Sequence, residues 1–140
     1  MRPTEEETRK AIKKDSRDVD VVVIDDDESM CEGCRQTLEG AGYKTATAKN
    51  GEEGLLLAAR SHPRVVVVDL KMPDMSGIEV IARISKLFPN IAAILMSGYF
   101  TFHPGYASLQ LGALDFIQKP FEPEQLLKAV RLGMTTTDDS

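Results

Sequence analysis

The sequence has no long apolar run. The longest, Ile91 to Met96, is six residues, far short of the roughly 18 needed to cross a bilayer. The N-terminus is charged where a signal peptide would carry an apolar stretch. Two cysteines in 140 residues cannot build a disulfide scaffold, which points to a cytoplasmic chain. There is no excess of basic charge either. Seventeen Lys and Arg stand against twenty-two Asp and Glu, a net charge of -5, which argues against direct nucleic-acid binding and against an anionic membrane surface as partner. Internal repeats and low-complexity stretches are also missing. What is present is 42% hydrophobic and 28% charged residues, enough apolar material for one folded domain of ordinary size.

The negative charge is unevenly spread. Residues 1–18 hold six basic and five acidic groups, so the remainder holds eleven and seventeen, a balance of -6. The extension 1–18 has a capping-box pair in Thr4 and Glu7 but almost no apolar residues. It reads as a frayed helix or a disordered arm. A folded unit is expected over 19–133, followed by a polar tail at 134–140.

Within the folded unit, two periods alternate. Strands are expected at Val21–Ile24, Tyr43–Ala48, Val65–Val68, Ile91–Met96 and Leu114–Gln118. Helices are expected from Met30 to the Gly40/Gly42 pair, at Glu52–Ser61 with Leu55, Leu56 and Ala59 apolar, and at Gly77–Leu87. Two more are expected at Pro104–Leu111 and Glu122–Leu132. The fourth helix reads as late-starting and mobile, because Gly105 costs about 1 kcal/mol relative to Ala in a helix. Several strands are apolar throughout, as in a parallel sheet covered on both faces. The expected fold is α/β, a doubly wound five-stranded parallel sheet with five helices.

In such sheets ligands bind beyond the carboxyl ends of the strands. Here those ends carry Asp25-Asp26, Asp69, Ser97 and Lys119. Carboxylates suit a hard dication such as Mg²⁺, while a lysine and a hydroxyl suit phosphoryl oxygens. An ionised carboxylate needs no general base to attack phosphorus, so the set suits phosphoryl transfer. Asp27 reads as a helix-start charge only. Cys31 and Cys34 form a lone CxxC, a weak metal or redox signal; Cys34 falls on an apolar helix face and Cys31 beside it by chance. His62 and His103 read as loop residues, and Met30, Met72 and Met75 as packing near the sheet edge.

Four motifs occur in order: Val22-Val23-Ile24-Asp25-Asp26-Asp27, Asp69-Leu70-Lys71-Met72-Pro73-Asp74-Met75-Ser76-Gly77, Leu95-Met96-Ser97-Gly98-Tyr99 and Phe116-Ile117-Gln118-Lys119-Pro120-Phe121. Together they resemble the receiver domains of two-component response regulators, from about Val19 to about Gly133. The resemblance implies a flavodoxin-like strand order 2-1-3-4-5 and a signalling domain with slow self-dephosphorylation, not a metabolic enzyme. It implies that Asp69 accepts phosphate from the phosphohistidine of a sensor histidine kinase or phosphotransfer protein. Asp25, Asp26, Asp69 and the backbone carbonyl of Lys71 would hold Mg²⁺, with Asp25 acting mainly through water. Ser97 and Lys119 would contact the phosphoryl group, Lys119-Pro120 would be a cis bond, and Ser97 with Phe116 would form the switch. The switching face would comprise the fourth helix, fifth strand and fifth helix, through which a receiver homodimer is also implied. Lys71 and Tyr99 stand where phosphate lifetime is tuned. The spelling around Ser97 and Lys119 resembles receivers of transcriptional activators or hybrid kinases; the chain would be either a stand-alone receiver working through protein contacts or one excised from such a longer protein. A remote alternative is a Mg²⁺-dependent phosphatase with Asp25 as nucleophile, since Asp25-x-Asp27-x-Ser29 loosely resembles the haloacid dehalogenase signature; it leaves Asp69, Pro73 and Gly77 without a role.

Overall fold

A computed structural model of the chain describes residues 19–98 and 112–136. The two valine runs become neighbouring central strands, β1 (Val21–Ile24) and β3 (Val65–Asp69), with β2 (Thr45–Ala48), β4 (Ala92–Ser97) and β5 (Ala113–Gln118) around them. All pairings are parallel, and the order is β2-β1-β3-β4-β5. Four helices are described: α1 (Glu28–Gly40), α2 (Gly51–Ser61), α3 (Gly77–Leu87) and α4 (Pro123–Thr136). The helix expected at 104–111, together with Tyr99 and His103, lies outside the described residues, as do the extension 1–18 and residues 137–140. The expected five helices are therefore four among the described residues. The closing helix runs through Met134 to Thr136, past the expected boundary at 133.

Strand periodicity of two divides the core into two halves. Val21, Val23, Val65, Val67, Ile94 and Met96 face α1 and α4, packing with Cys34, Leu38, Leu126 and Val130. Val22, Ile24, Val66, Val68, Ala93 and Leu95 face α2 and α3, packing with Ala58, Val80, Ile81 and Ile84. One helix buries its small residues most deeply. In α2 the buried residues are Gly51, Gly54, Ala58 and Ser61, while Leu56 is 52% exposed. The cause is close approach: a Cβ on Gly54 would stand 2.2 Å from Cδ1 of Ile24. The small residues seat the helix on the sheet, and the leucines are turned to its flank and outside.

Local chemistry sets each helix start. Asp27 caps α1, its Oδ1 accepting from the Ser29 and Met30 amides at 3.0 and 3.3 Å. Asn50 caps α2 through the Glu53 amide at 2.8 Å, and Ser76 caps α3 through the Glu79 amide at 3.2 Å. The start of α3 has a second requirement. A Cβ on Gly77 would stand 2.3 Å from the backbone oxygen of Asp69, and backbone cannot yield as a side chain can. Helix propensity favours Ala over Gly by about 1 kcal/mol, but the clash dominates, since overpacking of this kind costs about 1–3 kcal/mol. Gly77→Ala is therefore expected to lower stability in urea unfolding; a variant as stable as the wild type would show that α3 can shift freely.

Candidate functional site

Register brings the site together. Ile24 pairs with Val68, so Asp25 and Asp69 leave β1 and β3 side by side at the same sheet edge. Asp69 pairs with Met96 and Ser97 with Gln118, which places Ser97 and Lys119 at that edge as well. Lys119-Pro120 is a cis bond. The result is an open cleft of about 510 Å³ whose lining includes Asp25, Asp26, Asp69, Lys71, Met72 and Lys119.

Lys119 organises the cleft. Its Nζ donates to Asp25 Oδ2 at 2.6 Å and stands 3.0 Å from Asp69 Oδ1. Burial works against its charge, yet the hydrogen bonds to Asp25 and Asp69 outweigh burial and raise its pKa. The Asp69 carboxyl is also pushed above its ordinary value, first by burial and then by the charges of Asp25 and Asp26, against the pull of Lys119. Asp25 is fully buried, its other oxygen accepting the Asp27 amide at 2.9 Å. Asp26 is exposed. Asp25, Asp26 and Asp69 each offer an oxygen, all within 4.8 Å of one another. An all-oxygen set with water access on the Asp26 side fits a hard divalent cation.

Most expected residues meet here, with differences. Ser97 is buried at the end of β4, and Lys71 is exposed on the rim. Phe116 is half-buried against the α2/α3 half of the core. Asp27, although beside the cleft, spends its carboxylate on the α1 cap, and its pKa is lowered first by the Ser29 hydroxyl. His62 is a left-handed cap at the end of α2.

Cys31 departs from expectation. It is buried, not placed by chance, and its thiol donates to the backbone oxygen of Asp25 at 3.2 Å. Burial first, then the Asp25 charge, raises its pKa to about 11; that of Cys34 rises to about 12, chiefly by burial. Both stay protonated thiols at neutral pH, the opposite of what a metal ligand or redox nucleophile needs. The pattern also hid Asp74, whose two oxygens accept the Gly51 and Glu52 amides at 3.0 and 2.9 Å. Its position after Pro73 carries no local signal of that distant partner.

The response regulator receiver domain sequence model matches residues 21–131. The chain is 32% identical over 131 residues to the probable transcriptional regulatory protein TcrX of Mycobacterium tuberculosis, covering 90% of this chain and 56% of that protein. It is 34% identical over 123 residues to the response regulator MprA of Mycolicibacterium vanbaalenii, covering 86% and 53%. The chain thus spans about half the length of these curated relatives. Among solved structures, a CheY-like response regulator receiver domain protein from Methanospirillum hungatei superposes with a TM-score of 0.80 at 30% identity, covering 84% of this chain and 94% of that one. The Francisella response regulator 1452 receiver domain gives 0.78 at 28% identity, covering 86% and 99%. With its sheet order, its edge-convergent carboxylates and lysine, and this sequence match, the chain belongs to the response regulator receiver domain family of two-component signalling.

Proposed function

We propose that Asp69 is the phosphoacceptor. Its ionised carboxylate oxygen attacks the phosphorus of a phosphohistidine on a sensor histidine kinase or phosphotransfer protein. The new O–P bond forms as the P–N bond breaks, and the imidazole leaves with the bonding electron pair. Water later cleaves the acyl phosphate and restores the carboxylate. The observation that carries this reading is the single ammonium of Lys119 held on both Asp25 and Asp69. It is a cation already aimed at the place where phosphoryl oxygens would arrive.

Asp25, Asp26 and Asp69, with the backbone carbonyl of Lys71, would hold Mg²⁺, Asp25 acting mainly through water. Bound there, the ion supplies neutralisation of the phosphoryl charge. Ser97 would donate to a phosphoryl oxygen, and Phe116 would turn with it. The added group carries close to two negative charges, enough to bias a two-state element. That element is the face of β5 and α4, which also offers a surface for a receiver homodimer. The regulators TcrX and MprA, of which this chain matches about half, support a receiver that works within, or excised from, a longer transcriptional regulator.

The test is to supply a small acyl phosphate donor with Mg²⁺, trap the aspartyl phosphate by borohydride reduction and map it. Label at Asp69 is expected. Label at Asp25 would instead mean an aspartate-nucleophile phosphatase. Lys71 and Tyr99 are proposed to shield the acyl phosphate from water. Dephosphorylation of Lys71→Ala and Tyr99→Ala, followed as loss of label, should then run several-fold faster; unchanged rates would remove both from this role.

A further inference from the structure

The wall of the acidic cleft is a loop, residues 70–76, and only its base is held by its own backbone. Leu70 N donates to Met96 O at 2.8 Å, and Gly77 N donates to Leu70 O at 2.8 Å. Between these points Lys71, Met72 and Pro73 line the cleft. Lys71 and Pro73 are exposed, whereas Met72 is partly buried against the α2/α3 half of the core.

The far end of the loop is fastened elsewhere. Both carboxylate oxygens of Asp74 accept backbone amides from the first turn of α2, Gly51 N at 3.0 Å and Glu52 N at 2.9 Å. Those amides lie more than twenty positions earlier in the chain. Met75 lies against Gly51, where a Cβ would stand 2.4 Å from its Cγ, so glycine there allows the loop to sit on the helix. The two amide bonds, Gly51 first, hold the Asp74 carboxyl below its ordinary pKa, and the tether stays charged at neutral pH. Helix α2 already has a local cap in Asn50, which takes the Glu53 amide at 2.8 Å. Asp74 therefore does more than end a helix: it ties α2 to the cleft wall.

We propose that Asp74 is a positioning residue that sets the divalent-cation affinity of the cleft by fixing loop 70–76 against the first turn of α2. This rests on the reading of the cleft as a cation site. Groups that orient a metal's ligands without touching the metal typically change affinity by about 10–100-fold when removed.

The experiment measures Mn²⁺ binding by the electron paramagnetic resonance of the free ion, because Mn²⁺ accepts the same oxygen donors. Asp74→Ala is compared with Asn50→Ala, which weakens the same helix start and leaves the loop tether intact. Asp74→Ala should weaken Mn²⁺ binding on the order of tenfold, and Asp74→Asn, which keeps one acceptor oxygen, should fall between. Asn50→Ala should lower the thermal midpoint with Mn²⁺ affinity unchanged. Equal affinity in Asp74→Ala and wild type overturns the proposal, and so does an equal loss in Asn50→Ala. Labelling with the phosphodonor is run in parallel. A wild type that binds Mn²⁺ but takes no label on Asp69 defeats the phosphoacceptor reading and leaves the Asp74 comparison valid. A wild type that is labelled but binds no Mn²⁺ overturns the Asp74 proposal alone.

Discussion

Asp69→Asn takes no phosphoryl group from a small acyl phosphate donor, and in metal-free buffer near neutral pH it unfolds at a higher temperature than the wild type. The first half follows from the proposed transfer: the amide lacks the anionic oxygen that would form the O–P bond. The second half follows from the environment. The Asp69 carboxyl is pushed up by burial and by Asp25 and Asp26, so its ionised form is less favourable in the folded chain than in water. A neutral isostere removes that penalty and still leaves an oxygen facing Lys119. The sign over pH is definite. A carboxyl with a raised folded pKa keeps its proton when the unfolded chain has lost it, so stability falls as pH rises from the ordinary carboxyl range through the folded pKa. The advantage of the variant should therefore grow across that window and vanish in more acidic solution. Intact mass and thermal melts at two pH values check both halves; a retained phosphoryl group, or a lower midpoint at neutral pH, would refute the assignment.

Lys119→Met should move two properties in opposite directions. Its Nζ lies 2.6 Å from Asp25 and 3.0 Å from Asp69, where it competes with any divalent cation for the same carboxylates. Removing it should tighten Mg²⁺ binding. Under the proposed reading the same change also deletes a donor to the phosphoryl group, and loss of one such donor typically slows a reaction by about 10²–10³-fold. The metal-free variant should also be less stable at neutral pH, because it leaves Asp25 and Asp69 buried without their counter-charge. Acidification should recover stability in the variant, since protonating Asp69, whose carboxyl is pushed up first by burial, removes one of the two facing charges. For the wild type, the Lys119 contribution is present below the ordinary lysine pKa and is lost only as pH rises through its raised folded value. Calorimetric Mg²⁺ titration alongside single-turnover labelling separates the two effects. Weaker Mg²⁺ binding together with unchanged labelling would contradict this account of Lys119.

The strands and the carboxylates at their ends were legible from local pattern. A β-branched run such as Val65–Val68 is buried whichever face it presents, and a carboxylate that follows it must emerge at the sheet edge. Gly77 was legible as part of a motif, but its reason, a backbone oxygen 2.3 Å from where a Cβ would stand, was not. The part played by small residues in seating α2 was not legible, because leucines outweigh glycines in any count of apolar residues. The sheet selected Gly54 by its close approach to Ile24 instead.

Sequence alone determined the order of the strands, the acidic helix start at Asp27, and which residues stand at strand ends. Those features depend on neighbours within a few positions, through side-chain period, capping and turn chemistry. Only the tertiary structure decided that Lys119 bridges Asp25 and Asp69, that the Cys31 thiol is spent on the Asp25 carbonyl, and that Asp74 ties the cleft wall to α2. Each joins different segments of the fold, and strand register and helix seating choose those partners. Local propensity carries no information about a contact that exists only after the sheet has closed.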